Sequence, residues 1–202
     1  MTNPQKLRRS PLHGHLDLAN FHPSPSHEEA LARLHYLVEQ HLRIGVLLGE
    51  SGSGKSLLLA KLAADLRSVR RHVVHLSLLG KEPAELLLEI ATQLQLSPQP
   101  NMATAQLWRA IADRLKEHKY LQHETVMLFD DVHEAPADTL TAICRLSELD
   151  ATEEARLTLV ASIESGALSR LPSRLLDRAA LRVDVEPWEQ QDTVEFLIHA
   201  VE

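Results

Sequence analysis

The sequence predicts an α/β protein with three layers (α/β/α), in which a parallel five-stranded sheet is covered by helices on both faces. Short apolar runs typical of buried strands alternate with longer segments whose apolar residues recur at helical spacing. Strands that alternate with helices form parallel sheets, because each helix returns the chain to the same edge of the sheet. Of the 202 residues, 44% are apolar but only 3% are aromatic, so the core must consist mainly of aliphatic side chains.

Five short segments have the composition of buried strands, because they are rich in Val, Ile and Leu and are bounded by polar residues or glycine. They are "RIGVLLG" (43–49), "HVVHLSLL" (72–79), "TVMLFDD" (125–131), "RLTLVAS" (156–162) and "ALRVDV" (180–185). The first ends in a glycine-rich loop and the third ends in two carboxylates. These two strand ends are the candidate positions for a functional site.

The segments between the strands have helical periodicity. They are 23–42, 55–69, 83–96, 104–121, 135–149, 166–179 and 189–202. In the first of these helices Ser26 is the predicted N-cap, because Glu29 follows at the spacing of a capping box. Pro172 predicts a break in the sixth.

The chain divides into an arm at 1–22 without periodicity, a core at 23–187 and a last helical segment at 188–202. Cys144 is the lone cysteine, which excludes an intramolecular disulfide and favours a reducing, cytoplasmic location. Neither a signal peptide nor an apolar run long enough for a transmembrane segment is expected. The net charge of −7 argues against nonspecific nucleic-acid binding through the whole surface.

The loop after the first strand matches the pattern G-x-x-x-x-G-K-[ST], which binds phosphates. Its residues are Gly49, Glu50, Ser51, Gly52, Ser53, Gly54, Lys55 and Ser56, and the contact region extends to Leu57. Backbone amides in such a loop, continued by a helix N-terminus, donate to phosphate oxygens at close range. Lys55 would meet the β- and γ-phosphates, and the Ser56 hydroxyl would ligate Mg²⁺. A plain serine-glycine surface turn would not require the lysine-serine pair.

The two acids after the third strand complete this site. Asp130, at the tip of a buried strand, is the predicted ligand for the metal shell, and Asp131 would orient and deprotonate the attacking water. Without the glycine-rich loop, an ordinary acidic turn would be the simpler interpretation. With it, the two motifs predict binding of ATP and Mg²⁺ followed by hydrolysis.

These stretches resemble the AAA+ ATPases, and within them the general secretion pathway protein A (ExeA-like) branch. That branch is related to transposition-associated and origin-recognition ATPases. The resemblance runs from about Phe21 to His199 and includes "GESGSGKS", "VMLFDDVHEAP" and "LPSRLLDRAALRVDVEPWEQQDTVEFL". It implies a P-loop NTPase fold with sheet order 5-1-4-3-2, ATP as ligand, ring or partial-ring assembly, and motion passed to a protein partner.

The resemblance also implies roles for residues outside the two motifs. Ser162, with Glu164 as second candidate, falls at the position of the polar sensor that touches the γ-phosphate or the water. Arg178, with Arg174 as runner-up, falls at the position of the arginine finger that a neighbouring subunit receives.

Two departures from the family pattern affect these expectations. The family usually carries glutamate where this chain has Asp131, which is one methylene shorter. Either Asp131 still acts as base, which we favour, or Glu134 substitutes, or the protein is a slow switch. The chain also stops inside the first helix of the expected lid, so either it is a fragment or the lid is truncated or absent.

Three functions remain open from the sequence. The first is an ATPase that assembles or remodels a partner and forms nucleotide-dependent homo-oligomers. The second is a nucleotide-gated DNA- or transposase-binding regulator with little turnover. The third, a small-metabolite kinase, lacks an obvious acceptor-binding segment. Most histidines are expected at the surface, including His27 at the polar start of a helix, although the resemblance places that segment near the adenine.

Overall fold

The structure is a computed structural model, and it describes residues 24–99, 101–150, 152, 154–187, 192 and 194. The predicted arm at 1–22 lies outside these residues. Of the predicted lid segment 188–202, the structure describes Asp192 and Val194 alone, both of them helical.

The described core has the predicted alternation of strands and helices. The strands are β1 (Ile44–Gly49), β2 (His72–Ser77), β3 (Thr125–Asp130), β4 (Leu157–Glu164) and β5 (Leu181–Val185). The helices are α1 (Pro25–Glu39), α2 (Lys55–Ser68), α3 (Pro83–Gln93), α4 (Thr104–Tyr120), α5 (Ala137–Leu146) and α6 (Ser173–Leu176). Short 3₁₀ turns follow β3 at Val132–Glu134 and β4 at Ser165–Arg170.

The strands of the described core form one five-stranded sheet in the order β2-β3-β4-β1-β5, and every neighbouring pair is parallel. This order is the one that the family resemblance implied, and the predicted three-layer P-loop NTPase fold is confirmed. Because all strands run the same way, the carboxyl ends of β1, β4 and β3 meet at one edge of the sheet. We call this the carboxyl edge, and the opposite one the amino edge.

Aliphatic side chains fill the space on both faces of the sheet, as the low aromatic content predicted. On one face α1 and α2 pack against the sheet through residues such as Leu37 and Leu62, both fully buried. On the other face α3, α4 and α5 pack around Phe129 and Ile111. With both faces covered, β1 and β3 are buried along their whole length, which explains their continuous apolar sequences.

The N-cap of helix α1 lies two residues earlier than predicted. The N-cap is Ser24, whose hydroxyl accepts from the backbone N–H of His27, and Pro25 occupies the first helical position. The prediction that Ser26 caps the helix is therefore wrong, because a proline suits the first turn and fits directly after the true cap. The Ser26 hydroxyl instead accepts from the backbone N–H of Glu186, beyond the end of β5, at 3.3 Å.

Candidate nucleotide site

The glycine-rich loop joins β1 to α2 and has the backbone of a phosphate cradle. Gly52 and Gly54 have φ angles of +80° and +86°, in the left-handed region where side chains are disfavoured. Gly54 is the N-cap of α2, and its carbonyl accepts the first helical hydrogen bond, from the N–H of Leu58, at 2.9 Å. The N–H groups of residues 55–57 therefore have no partner within the helix and can donate to an anion. This is the backbone arrangement that an anion-binding loop requires, and binding of a nucleotide by residues 49–57 stays a prediction.

Lys55 lies inside this loop and not at its outer surface. The side chain is buried, and its ammonium donates to the backbone carbonyls of Gly49 at 3.0 Å and Glu50 at 2.7 Å. These two carbonyls hold the charge beside the free N–H groups at the start of α2. A single ammonium among main-chain dipoles is suited to a polyphosphate tail.

Ser51 and Gly52 are exposed at the outer turn of the loop, whereas Ser53 is buried at its base. A Cβ at Gly49 would lie 2.3 Å from the Ser53 hydroxyl and 2.9 Å from the Val185 carbonyl, so glycine is required there by close packing. Ser56 is half-buried in the first turn of α2. Its role as a Mg²⁺ ligand stays a prediction.

His27 is a component of this site that the sequence analysis did not assign. Its ring is buried, and Nε2 lies 2.9 Å from the carbonyl oxygen of Ser53. The prediction that the histidines are mostly surface residues is also wrong for His118 and His133, which are buried. Sequence patterns do not show this, because all three rings are buried by packing between segments distant along the chain.

The acid at the end of β3 is held by a serine from the neighbouring strand. Ser162, fully buried in β4, donates its hydroxyl proton to Oδ1 of Asp130 and accepts from the backbone N–H of Asp131 at 3.0 Å. The same N–H lies 3.2 Å from Oδ1 of Asp130. Both contacts to the carboxylate end on Oδ1, so Oδ2 is the oxygen that can face a metal ion.

Asp131 leaves the strand in a left-handed conformation, with φ 53°. Burial, followed by the charge of Asp130, raises the pKa of its carboxyl above the ordinary value, while His133 and Lys55 act in the opposite direction. Because β1 and β3 run parallel in one sheet, Lys55, which follows the loop after β1, and the two acids at the end of β3 lie at the same edge. A raised pKa makes the carboxylate a better proton acceptor.

Glu134, the alternative candidate for the base, and Glu164, the alternative candidate for the sensor, both lie near His133. Nε2 of His133 is 3.5 Å from Glu134 and 3.6 Å from Glu164. Glu134 also pairs with Arg170 at 3.3 Å. A carboxylate with a cationic partner is a weaker base than one without, so the geometry favours Asp131 over Glu134.

The two predicted finger arginines lie at the other end of the sheet. Arg178 and Arg174 both pair with Glu148, at 3.0 and 2.9 Å. Residue 178 precedes β5, and the N–H of Ala180 bonds to the carbonyl of Ile44 at the start of β1. The phosphate loop follows the far end of β1, about 17 Å away at about 3.3 Å per residue. Arg178 therefore does not reach the loop of its own chain.

The donors at the carboxyl edge fit a magnesium-bound nucleotide. The loop presents N–H groups and an ammonium to phosphates, and Asp130 offers a buried carboxylate oxygen of the hard type that Mg²⁺ prefers. The glycine positions have no room for side chains at Gly49 and Gly54, where a Cβ would contact Ser53 and His27. The fold is that of the P-loop NTPases.

A family model described as "AAA domain" matches residues 38–171, which is most of the described core. The chain belongs to this AAA domain family. Among curated protein sequences, none matched this chain. The membership accounts for the phosphate loop and the strand-end acids, and it implies binding of a nucleotide and Mg²⁺.

Solved structures with the same fold include replication proteins. Cdc6p from Pyrobaculum aerophilum is 20% identical with a TM-score of 0.71 over 91% of this chain and 53% of that one. The ORC1 protein of Aeropyrum pernix, solved in complex with DNA, is 18% identical with a TM-score of 0.68 over 94% and 52%. A Drosophila ORC structure, bound to GC-rich DNA and Cdc6, is 14% identical with a TM-score of 0.64 over 86% and 30%.

This chain spans about half the length of the first two of these structures. At these identities the likeness concerns the fold. Within the described residues, no helix is both long and apolar enough to cross a membrane.

Proposed function

We propose that the protein is an ATPase module that hydrolyses Mg²⁺-bound ATP and uses the nucleotide state to assemble or remodel a protein partner. The observation that carries this proposal is the meeting of two charged motifs at the carboxyl edge. The loop with Lys55 follows β1 at the edge of the sheet where β3 ends at Asp130 and is followed by Asp131. Membership of the AAA domain family supports it.

Each residue of the site has a role in this proposal. The loop N–H groups and Lys55 bind and orient the phosphates, and they balance charge that develops during transfer of the terminal phosphoryl group. Ser56 and Asp130 would hold Mg²⁺, which neutralises phosphate charge when bound. Ser162 keeps Asp130 in place through its hydroxyl, and we retain contact between Ser162 and the γ-phosphate as a prediction.

Asp131 is the proposed general base for the attacking water. Its raised pKa, together with the absence of an ion pair to it within the described residues, supports this role over Glu134, which is paired with Arg170. The shorter aspartate side chain places a limit on its reach. We therefore expect slow turnover.

Nucleotide-dependent homo-oligomers are part of the proposal because Arg178 lies at the amino edge. An arginine on that edge does not reach the phosphate loop of its own chain, so as a finger it would serve the site of a neighbouring subunit. In that role the Arg178 guanidinium would leave its ion pair with Glu148 and bind a phosphate of the neighbouring subunit's nucleotide. Assembly would then be required for full activity.

The second candidate function is a nucleotide-gated DNA-binding regulator with little turnover. Two of the solved structures named above contain DNA, and Asp131 stands where glutamate is usual. The net charge of −7 does not favour DNA contact through the whole surface. Which partner is used, whether of the secretion-pathway type or another, stays a prediction, as does the cytoplasmic location.

The experiment that tests the proposal combines calorimetry with turnover. Mg-ATP should bind the wild type, and Lys55→Ala should weaken binding about a hundredfold, because a charged hydrogen-bond donor is lost. Phosphate release per subunit should rise with protein concentration. Absence of binding overturns the proposal, whereas tight binding without phosphate release at any concentration favours the second candidate.

A further inference from the structure

We propose that His27 is a positioning residue of the phosphate loop. Its imidazole fixes the peptide between Ser53 and Gly54 and thereby aims the Gly54 N–H into the loop, where an anion binds. The inference rests on the proposed nucleotide function and adds to it a residue from α1, outside both nucleotide motifs.

The hydrogen bonds around the ring define its tautomer. The Ser53 carbonyl can only accept, so Nε2, at 2.9 Å, must carry the proton and donate. Nδ1 lies 3.2 Å from the hydroxyl of Ser24, which can donate to it. Ser24 is also the N-cap of α1, so the ring joins the start of this helix to the base of the loop.

A planar peptide converts this contact into control of the loop. In a trans peptide the C=O and the following N–H point in opposite directions. When His27 holds the Ser53 carbonyl on one side, the Gly54 N–H must point to the other. The ring also lies close to Gly54, since a Cβ added there would be 2.6 Å from Nε2.

The loop needs such an anchor because it can otherwise rearrange. Gly52 and Gly54 have no Cβ, so the peptides around them rotate at little steric cost. The Ser53 hydroxyl is buried and has no hydrogen-bond partner within the described residues, so it contributes no anchor of its own. The loop is then held at Ser53 by its N–H, bonded to the Glu50 carbonyl at 3.2 Å, and by His27.

Contact of His27 with the base of the nucleotide is the competing explanation. Both ring nitrogens already face protein oxygens, on Ser53 and Ser24. If His27 positions the loop, its substitution should lower the affinity equally for every ligand that carries the same phosphates. A base contact predicts an effect on ATP only.

The test measures the affinity of Mg-ATP and of magnesium tripolyphosphate, which has no base, by calorimetry. His27→Leu should weaken both about tenfold, and His27→Gln, which keeps a donor near the Nε2 position, should restore both to within about threefold. His35→Leu is the matched control, since His35 lies on α1 and contacts Asp65 of α2 rather than the loop. It should leave both affinities unchanged.

His27→Asn is a second variant that avoids placing an apolar side chain at this position. Asparagine is polar but too short to reach the Ser53 carbonyl. The asparagine variant should therefore also bind both ligands about tenfold more weakly than the wild type. The inference is overturned if the asparagine variant binds as the wild type does. It is also overturned if the loss is confined to ATP. A wild type that binds neither ligand would instead overturn the proposed function, which separates the two failures.

Discussion

The two edges of the sheet handle charge in opposite ways. At the carboxyl edge, Lys55 is held by backbone carbonyls, and within the described residues Asp130 and Asp131 form no ion pair. At the amino edge, side chains neutralise one another, as Glu148 does with Arg174 and Arg178. At the carboxyl edge, charged groups without an ion-pair partner among the described residues can therefore interact with a ligand. At the amino edge the arginines are already paired with Glu148, so they can bind another molecule only if these ion pairs break.

Arg178→Ala tests whether the amino edge takes part in catalysis and should have the largest effect. Loss of a finger arginine should lower turnover about a thousandfold and remove its dependence on protein concentration, with ATP affinity unchanged. Arg174→Ala, which removes the other partner of Glu148, is the matched control with a much smaller loss. Steady-state phosphate release against protein concentration measures both. Equal losses for the two variants would contradict the assignment of Arg178.

Asp131→Asn tests the unpaired acid at the carboxyl edge. Removal of a general base should lower turnover about a hundredfold or more, while Mg-ATP still binds. Single-turnover phosphate release and calorimetry separate the two quantities. Glu134→Gln is the control, since that carboxylate already has Arg170 as partner. If Glu134→Gln causes the larger loss, the glutamate is the base.

Ser162→Ala removes the hydroxyl that holds Asp130 and the N–H of Asp131. We expect turnover to fall about tenfold, because two groups of the site lose a hydrogen bond that orients them. Ser162→Thr retains the hydroxyl and should recover most of the loss if β4 accepts the extra methyl group. Turnover measured at several Mg²⁺ concentrations shows whether the metal site is affected. No change in either variant would exclude Ser162 from the site.

The rings of His72, His118 and His123 lie together at the amino edge, and this histidine cluster predicts a pH dependence of stability. Burial, and then the neighbouring charges of His72, Arg114 and His123, lower the pKa of His118 from 6.5 to about 4. A folded-state pKa below the unfolded value means that the fold resists protonation, so stability is present above pH 6.5 and is lost as the pH falls towards 4.

Chemical denaturation between these pH values should therefore show a decrease in the free energy of unfolding. His118→Asn keeps a polar atom near Thr125, which the wild-type Nδ1 meets at 2.8 Å, and should flatten the dependence. The exposed His123 is the control, and His123→Asn should leave most of the slope. An unchanged slope in the His118 variant would assign the pH dependence to other groups.

Glu148→Gln should have the smallest effect. The partners of Glu148 are 64% and 40% exposed, so their ion pairs contribute less than about 1 kcal/mol to stability. Release of Arg178 should not lower turnover. Thermal unfolding and turnover measure the two effects, and a loss of turnover as large as that of Arg178→Ala would mean that the pairing itself is required.

The phosphate loop and the acids at the end of β3 could be predicted from the sequence because each is contiguous along the chain. The apolar run of β1 predicts a buried strand, the glycines after it predict a turn, and the helical periodicity from Lys55 onwards predicts the next helix. Sheet order followed from the family resemblance and not from the residues alone. The N-cap at Ser24 was missed because two serines flank Pro25 and local spacing favoured the wrong one.

By itself, the sequence determined the alternation of strands and helices, the aliphatic core and the two nucleotide motifs, since periodicity and turn chemistry act over a few residues. The tertiary structure decided which distant groups meet. His27 reaches Ser53 from 26 residues away, Ser162 holds Asp130 from 32 residues away, and Glu148 pairs with Arg178 across 30 residues. Such contacts depend on strand order and register, which are set by burial of the whole sheet between its helices.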